Sequence, residues 1–321
     1  ASRRAICQDD SKGFFRVTHR DAGKKIFLVG DRGQLGSQVL AQSGGANIIL
    51  ASDYQLDLTS PSALKNILDE IQPEVLINCA AYTAVDKAES QQELAFALNA
   101  AGPQLLAKWC AANNSHLVHI STDYVFSGLK PLYEVYGEAD VTEPVSIYGQ
   151  SKLLGEQQIK NQDNERYSIL RTAWLYGFYG QNFLKTMLRL VLSDPQREYK
   201  VVNDQYGSPT SADALARQIQ AVVDSEVYGT FHATSHGYCS WYEFACEFLG
   251  QLGVEYNFIP CTTAEYPSAA PRPINSILGN ERLFEIDLDF FVHWRDDLTL
   301  FVDAHGSRLL EQANAAVKGT L

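Results

Sequence analysis

Near the start of the chain, Lys25-Ile-Phe-Leu-Val29 runs into Gly30-Asp-Arg-Gly33-Gln-Leu-Gly36, and Ser37-Gln-Val-Leu-Ala41 follows. A short apolar run, a glycine turn and helix-forming residues read as strand, tight turn and helix. Glycines let a backbone turn sharply and approach a pyrophosphate, which then rests on the N–H groups of a helix N-terminus. A lone glycine triplet is weak evidence. At the first strand-to-helix junction of an alternating chain it points to a dinucleotide site; a plain loop before a helix is the competing reading. Gly30, Gly33, Gln34, Leu35 and Gly36 are the candidate contacts.

The alternation continues. Asn47–Asp53 reads as a second strand, at whose end an adenosine ribose would be recognised. A carboxylate there suits the 2′-hydroxyl of NADH and an arginine the 2′-phosphate of NADPH. Asp53 leans toward the first and Arg32 toward the second, so the preference stays open. Asp57 and Leu58 are candidate adenine contacts, or a simple helix entry before Pro61. Ser62–Ile71 reads as a helix and Glu74–Asn78 as a strand ending in Cys79-Ala80-Ala81-Tyr82-Thr83. Small residues there would let a ribose and phosphate lie close to the backbone, which makes Ala80, Ala81 and Thr83 cofactor candidates. Glu93–Asn113 has helical periodicity, with Asn99 inside it. Leu117–Ile120 reads as a buried strand ending in Ser121-Thr122-Asp123. Ligands in doubly wound sheets sit beyond strand carboxyl ends, so Thr122 and Asp123 are placed to touch one; a helix cap is the bland alternative.

Downstream, Pro144-Val-Ser-Ile-Tyr148-Gly-Gln-Ser-Lys152 sets a phenol and an amine four positions apart. On a helix both side chains share one face. A neighbouring cation favours the phenolate and would draw its pKa toward the working range. An ordinary surface pair is the competing reading. Tyr167–Arg171 reads as another strand, followed by Trp174, a stacking surface or a core residue, and by Asn182, which opens a helix and is a candidate substrate contact. Arg272, held between Pro271 and Pro273, suits a phosphate contact or a solvated loop.

The expected fold class is α/β: a Rossmann-type doubly wound parallel sheet with a smaller C-terminal α/β substrate-binding region. The dinucleotide domain spans 25–175, with 203–225 returning to it. The substrate region takes 176–202 and 226–305. Residues 1–24 read as a disordered tail or added extension, and 306–321 as a C-terminal tail. The net charge of −12 argues against a nucleic-acid surface. No stretch of about 18 apolar residues suggests a membrane span. The six cysteines lack metal-type pairing, which points to free thiols in a reducing, cytoplasmic setting.

These residues carry a resemblance. From about Lys25 to Asp303 the chain resembles the extended short-chain dehydrogenase/reductase superfamily and, within it, the dTDP-4-dehydrorhamnose reductase family. The shared strings are Gly33-Gln-Leu-Gly36, Asn78–Glu89, Ser121–Phe126, Tyr148–Lys152 with Gly155-Glu156, Arg171–Trp174, Asn203–Thr210 and Arg272-Pro273. The resemblance implies NADPH or NADH as cofactor. It implies reduction of the C4 ketone of dTDP-4-dehydro-L-rhamnose to dTDP-L-rhamnose, in the biosynthesis of cell-surface polysaccharide. Thr122 would hydrogen-bond the ketone, Tyr148 would give the proton, and Lys152 would bind the nicotinamide ribose and lower the phenol's pKa. Trp174 would contact the sugar, and Arg272 the nucleotide-diphosphate end.

The chain departs from the family at Cys79, usually alanine. Family members can form a dimer bridged by magnesium through glutamates. Gln38 and Asp303-Ala304 stand where those glutamates are expected, so no metal ligand is assigned, and monomer and homodimer both stay open. Two other readings remain. Dehydratases and epimerases share the Tyr/Lys pair, but dehydratases need an acid where this chain has Tyr124. A non-catalytic NADP-binding regulatory subunit, like the one accompanying methionine adenosyltransferase, would also carry the fold.

Overall fold

The structure, a computed structural model, describes residues 23–44 and 47–319; the expected N-terminal tail, up to residue 22, lies outside them. Five strands appear in chain order: β1 (Ile26–Val29), β2 (Ile48–Leu50), β3 (Val75–Asn78), β4 (His116–Thr122) and β5 (Tyr167–Thr172). With the strand Gly229–His232 they form one six-stranded sheet, every pair parallel. Its order is Gly229–His232, β5, β4, β3, β1, β2. The strand order reverses between β1 and β3, and that is where a crevice opens in such sheets.

The central strands β1, β3 and β4 are buried on both faces, while the edge strand β2 is only partly covered. Ile26 and Leu28 of β1 point to one face, where helices α1 (Gln34–Gln42) and α8 (Ala212–Ser225) cover them with Leu35, Val39, Leu215 and Ile219. Phe27 and Val29 point to the other. There α2 (Pro61–Ile71) contributes Leu64, Leu68 and Ile71, spaced as one helical stripe. The short helix α3 (Val85–Ala88) and α4 (Gln92–Phe96) precede α5 (Gly102–Asn113).

The expected 93–113 helix is interrupted. Residues Ala97–Ala101 form a π turn between α4 and α5. The reason lies in α6 (Ile147–Lys160), the helix that carries Tyr148 and Lys152. The carbonyl of Asn99, within the π turn, presses so close to Gly155 of α6 that a β-carbon there would sit 2.1 Å from it. At Gly149 the Tyr124 carbonyl is equally near, 2.2 Å from a built β-carbon. Two glycines thus let α6 sink onto its neighbours. Ser146 caps it by accepting from the Gly149 N–H.

The C-terminal region packs α7 (Phe183–Ser193), α9 (Trp241–Gln251) and α11 (Trp294–Lys318) around a second core that includes Leu188, Phe244, Trp294 and Phe301. A small helix, α10 (Glu281–Glu285), lies against the Gly229–His232 strand. Two boundaries differ from expectation. The chain returns to the sheet through Gly229–His232, not only through 203–225. The segment from 306, read as a tail, is the second half of α11, and Leu309 there is 2% exposed. Among the described residues no helix is long and apolar enough to cross a membrane. Cys79, Cys110, Cys239, Cys246 and Cys261 are free.

One buried ion pair pins α6 to the sheet. Arg171 on β5 donates from Nε and Nη2 to the two carboxylate oxygens of Glu156, at 2.9 and 2.7 Å. The Ser121 hydroxyl on β4 adds a third bond at 2.7 Å. Burial alone would raise the Glu156 pKa, but the Arg171 hydrogen bonds and charge outweigh it and hold the carboxyl below its ordinary 4.5. Glu156→Gln leaves the Arg171 charge buried without a counter-ion, and urea unfolding should show a loss of about 3–5 kcal/mol at neutral pH. A lowered folded pKa stabilises above the unfolded value and is lost as pH falls through the folded one. The gap between the two proteins should therefore close in acid, below about pH 4.5.

Candidate active site

Beyond the carboxyl ends of β1, β3, β4 and β5 lies a cavity of about 800 Å³, walled on its far side by α7 and α9. The glycine turn forms its floor. Gly30 has φ +82°, and a β-carbon on it would lie 2.6 Å from the Ala80 nitrogen at the end of β3. Gly36 sits inside α1 with its built β-carbon 2.2 Å from the Gly30 carbonyl, so it serves the close packing of helix on turn. Gly33 caps α1 with no side-chain hydrogen bond. The first N–H groups of that helix have no intrahelical partner, and Gly33, Gln34 and Leu35 line the cavity. Ala80, Ala81 and Thr83 line the adjoining wall. An open helix N-terminus beside glycines that leave no room for side chains fits the pyrophosphate of a dinucleotide.

Four expected cofactor contacts are not on this cavity. Gly36 is one, as described. Leu58 is 6% exposed and packs in the core against Gly102. Asp57 is exposed and accepts from the Thr59 N–H and hydroxyl at 2.8 and 2.7 Å, a turn-stabilising role. Asp53 is exposed in a 3₁₀ turn after β2. The buried acid there is Asp31 of the glycine turn, whose Oδ1 accepts from the Ser52 N–H at 3.1 Å while Oδ2 takes the Ser52 hydroxyl.

Thr122, Asp123, Tyr148 and Lys152 meet on the cavity wall. The Thr122 hydroxyl donates to Asp123 Oδ1 at 2.9 Å and accepts from the Tyr124 N–H at 3.2 Å. The Tyr148 ring stands edge-on to Tyr124, centroids 5.5 Å apart. Burial pushes the Tyr148 phenol well above its ordinary pKa; a hydrogen bond with Thr122 opposes this, and Asp123 and Tyr124 reinforce it. Lys152 is not among the groups that shift the phenol here; burial sets the direction. Lys152 is turned to the sheet: Nζ donates to the Ile120 carbonyl at 2.6 Å and lies 3.4 Å from His119 Nε2. Burial brings Lys152 down to about 8, with Glu156 and Cys79 pulling the other way. Burial likewise lifts Asp123 to about 6.

On the opposite wall, Trp174 lies flat on Trp241, centroids 3.5 Å apart and planes 7° apart. Its backbone has φ +47°, uncommon for a bulky residue. Its other neighbour is Gly207, where a β-carbon would fall 2.4 Å from the indole. Trp241 lines the cavity too and was not singled out from sequence; its position at the start of α9 was the available signal. Asn182 also lines the cavity, but its amide is committed. It accepts from the Lys185 N–H as the cap of α7 and donates to Gln34 Oε1 and the Gly177 carbonyl, both at 2.8 Å. Gln34 in turn donates to the Leu175 carbonyl, so Gln34 and Asn182 tie the glycine turn to the C-terminal region.

Arg272 reaches the cavity rim, donating to Tyr124 Oη at 3.0 Å and to Asp86 Oδ2 at 2.8 Å. A single carboxylate and a phenol hold the guanidinium, and anionic oxygens of a ligand can compete for it. Where the resemblance implies metal-bridging glutamates, Gln38 Nε2 donates to Asp213 Oδ1 at 3.0 Å, and His305 Nε2 lies 3.3 Å from the same oxygen. Taken together, the walls present a dinucleotide cradle, two hydroxyl groups and a buried amine along one wall, a flat indole surface, and an arginine at the mouth.

The chain matches the family model described as the RmlD substrate binding domain over residues 24–306. It is 38% identical over 271 residues to the dTDP-4-dehydrorhamnose reductase of Sinorhizobium fredii, covering 81% of this chain and 90% of that one. Among solved structures it resembles a dTDP-4-dehydrorhamnose reductase from Clostridium acetobutylicum, with 43% identity, TM-score 0.81, and 87% of this chain and 98% of that one covered. It also resembles the dTDP-4-dehydrorhamnose reductase of Bacillus anthracis in complex with NADP, with 38% identity, TM-score 0.83, and 88% and 99% covered. The chain belongs to the RmlD substrate binding domain family.

Proposed function

We propose that this chain reduces the C4 ketone of dTDP-4-dehydro-L-rhamnose to dTDP-L-rhamnose with NADPH or NADH, in the cytoplasmic synthesis of dTDP-rhamnose. The observation that carries the reading is the meeting of Thr122, Tyr148 and Lys152 on one cavity wall beside the glycine turn. When bound, the reduced nicotinamide supplies a hydride to the ketone carbon. The residues of the chain then handle the oxygen, on which negative charge develops.

Gly30, Gly33 and the first N–H groups of α1 hold the pyrophosphate; Ala80, Ala81 and Thr83 flank the ribose and phosphate. The Thr122 hydroxyl turns from Asp123 to the ketone oxygen. Tyr148 gives its proton to that oxygen. Its raised pKa keeps the phenol protonated at neutral pH, which is the state an acid must be in before it can act. Lys152, one turn along the same helix face, carries a proton below about pH 8 and can restore the phenol after it has acted. The Trp174–Trp241 stack offers a flat apolar face to the sugar. Arg272 exchanges Asp86 for the substrate's diphosphate. The position after Asp123 is Tyr124, a phenol already bonded to Arg272, so a departing hydroxyl finds no carboxylic acid there and dehydration is disfavoured. The NADP complex of the Bacillus anthracis relative supports NADPH as the first cofactor to assay.

Tyr148→Phe should keep dinucleotide binding and lose at least about 10²-fold in kcat, the low end of general-acid contributions. Absorbance loss of NADPH or NADH with dTDP-4-dehydro-sugar measures it. A wild-type protein that binds dinucleotide yet never oxidises it with any nucleotide-linked 4-keto sugar would favour the regulatory-subunit reading. Turnover should also decline as pH rises through about 8, where Lys152 loses its proton. A rate flat from pH 7 to beyond about 9 removes Lys152 from the proton path.

A further inference from the structure

Behind Lys152 lies a buried pair that the reaction scheme above does not use. Asn78, the last residue of β3, and His119, in the middle of β4, are both 0% exposed. The Ala80 N–H donates to Asn78 Oδ1 at 3.1 Å. A backbone N–H can only donate, so this bond fixes which end of the Asn78 amide is oxygen. The amide nitrogen is then the atom that faces His119 Nδ1, at 3.0 Å. An amide nitrogen can only donate, so His119 Nδ1 must carry a lone pair. In a neutral imidazole the proton then sits on Nε2. Nε2 lies 3.4 Å from Lys152 Nζ, and Nζ already donates to the Ile120 carbonyl at 2.6 Å.

The chain of bonds therefore has one direction: Ala80 N–H to Asn78, Asn78 to His119, and His119 toward Lys152. An imidazole N–H aimed at Nζ finds a lone pair on an amine and none on an ammonium. We propose that His119, oriented by Asn78, is a positioning residue that donates its Nε2–H toward Lys152 Nζ and favours the amine form of that lysine. The inference rests on the reading of Lys152 as a proton carrier. It adds a group that, beside burial, favours release of the lysine's proton. When the Lys152 ammonium passes a proton to the phenolate left on Tyr148, the N–H bond to Nζ breaks and one forms at the phenol oxygen. The new lone pair on Nζ then accepts from His119 until water returns a proton.

The other groups facing Lys152 act against this preference or are neutral to it. Glu156 on its own helix and Cys79 after β3 favour the ammonium; Glu156 is already bound by Arg171 of β5. Burial holds His119 itself well below its ordinary pKa, and the Lys152 charge pushes the same way, so its neutral form is the one present.

Two measurements decide the proposal. Long-range proton–nitrogen correlation NMR of the unliganded wild-type protein should show His119 with Nδ1 unprotonated and Nε2 protonated. The opposite tautomer overturns the proposal, and so does a charged imidazole at neutral pH. His119→Met removes the donor while keeping the site filled. The limb of the kcat pH profile expected near 8 should move upward by about one pH unit, the scale of one hydrogen bond's preference for one protonation state, with KM for the dinucleotide unchanged. A limb that stays in place or moves down overturns the proposal. If that variant does not fold, the wild-type spectrum still decides. The spectrum needs no turnover, so a protein that proves inactive sinks the reductase reading and leaves this inference to be judged by its tautomer.

Discussion

The bonding of Glu156 to Arg171 fixes the rest of the site. A carboxylate at 0% exposure and a guanidinium at 3% would each be costly to bury alone. Paired through two nitrogens, with the Ser121 hydroxyl as a third donor to the carboxylate, they hold one bidentate geometry. That geometry sets the rotation and depth of α6 against β4 and β5 together. Tyr148 and Lys152 ride on α6, so their aim at the cavity follows from a charge pair one turn further along. Gly149 and Gly155 complete the seat by admitting carbonyls where any side chain would collide.

The same dryness that makes this pair tight governs the chemistry of the wall. Burial disfavours whichever form of a group is charged. It therefore moves the phenol of Tyr148 and the amine of Lys152 in opposite directions, the first up and the second down. A protonated phenol and a lysine that titrates near neutrality are what a proton donor and its reloading group require. A reading based on charge proximity alone expects the reverse for the phenol. It leaves out desolvation, because a sequence does not say which residues are dry.

Much of the fold was legible because it is written in local patterns. Short apolar runs such as Ile26–Val29 and Val75–Ile77 read as strands buried on two faces when helices separate them. The glycine turn declared itself by spacing. The misses are also physical. Gly229–His232 is a short edge strand whose one strand partner among the described residues is β5, far away in sequence. The second half of α11 is mostly solvent-exposed, and Leu309 counts as core only because the C-terminal lobe closes over it. Leu58 packs on Gly102 in the core and Asp57 accepts from Thr59, contacts that a reading of the sequence does not show.

The sequence by itself determined the order of strands and helices, the cradle at Gly30 and Gly33, and the candidate pair at Tyr148 and Lys152, since each depends on residues within a turn or two of one another. Only the tertiary structure decided what faces that pair. His119 and Asn78 lie on neighbouring strands, Arg171 on the next, and Trp241 and Arg272 come from the far lobe. Hydrogen-bond direction, burial and ion pairing are properties of atoms brought together across long stretches of chain, and they exist only once the sheet has registered and α6 has settled on it.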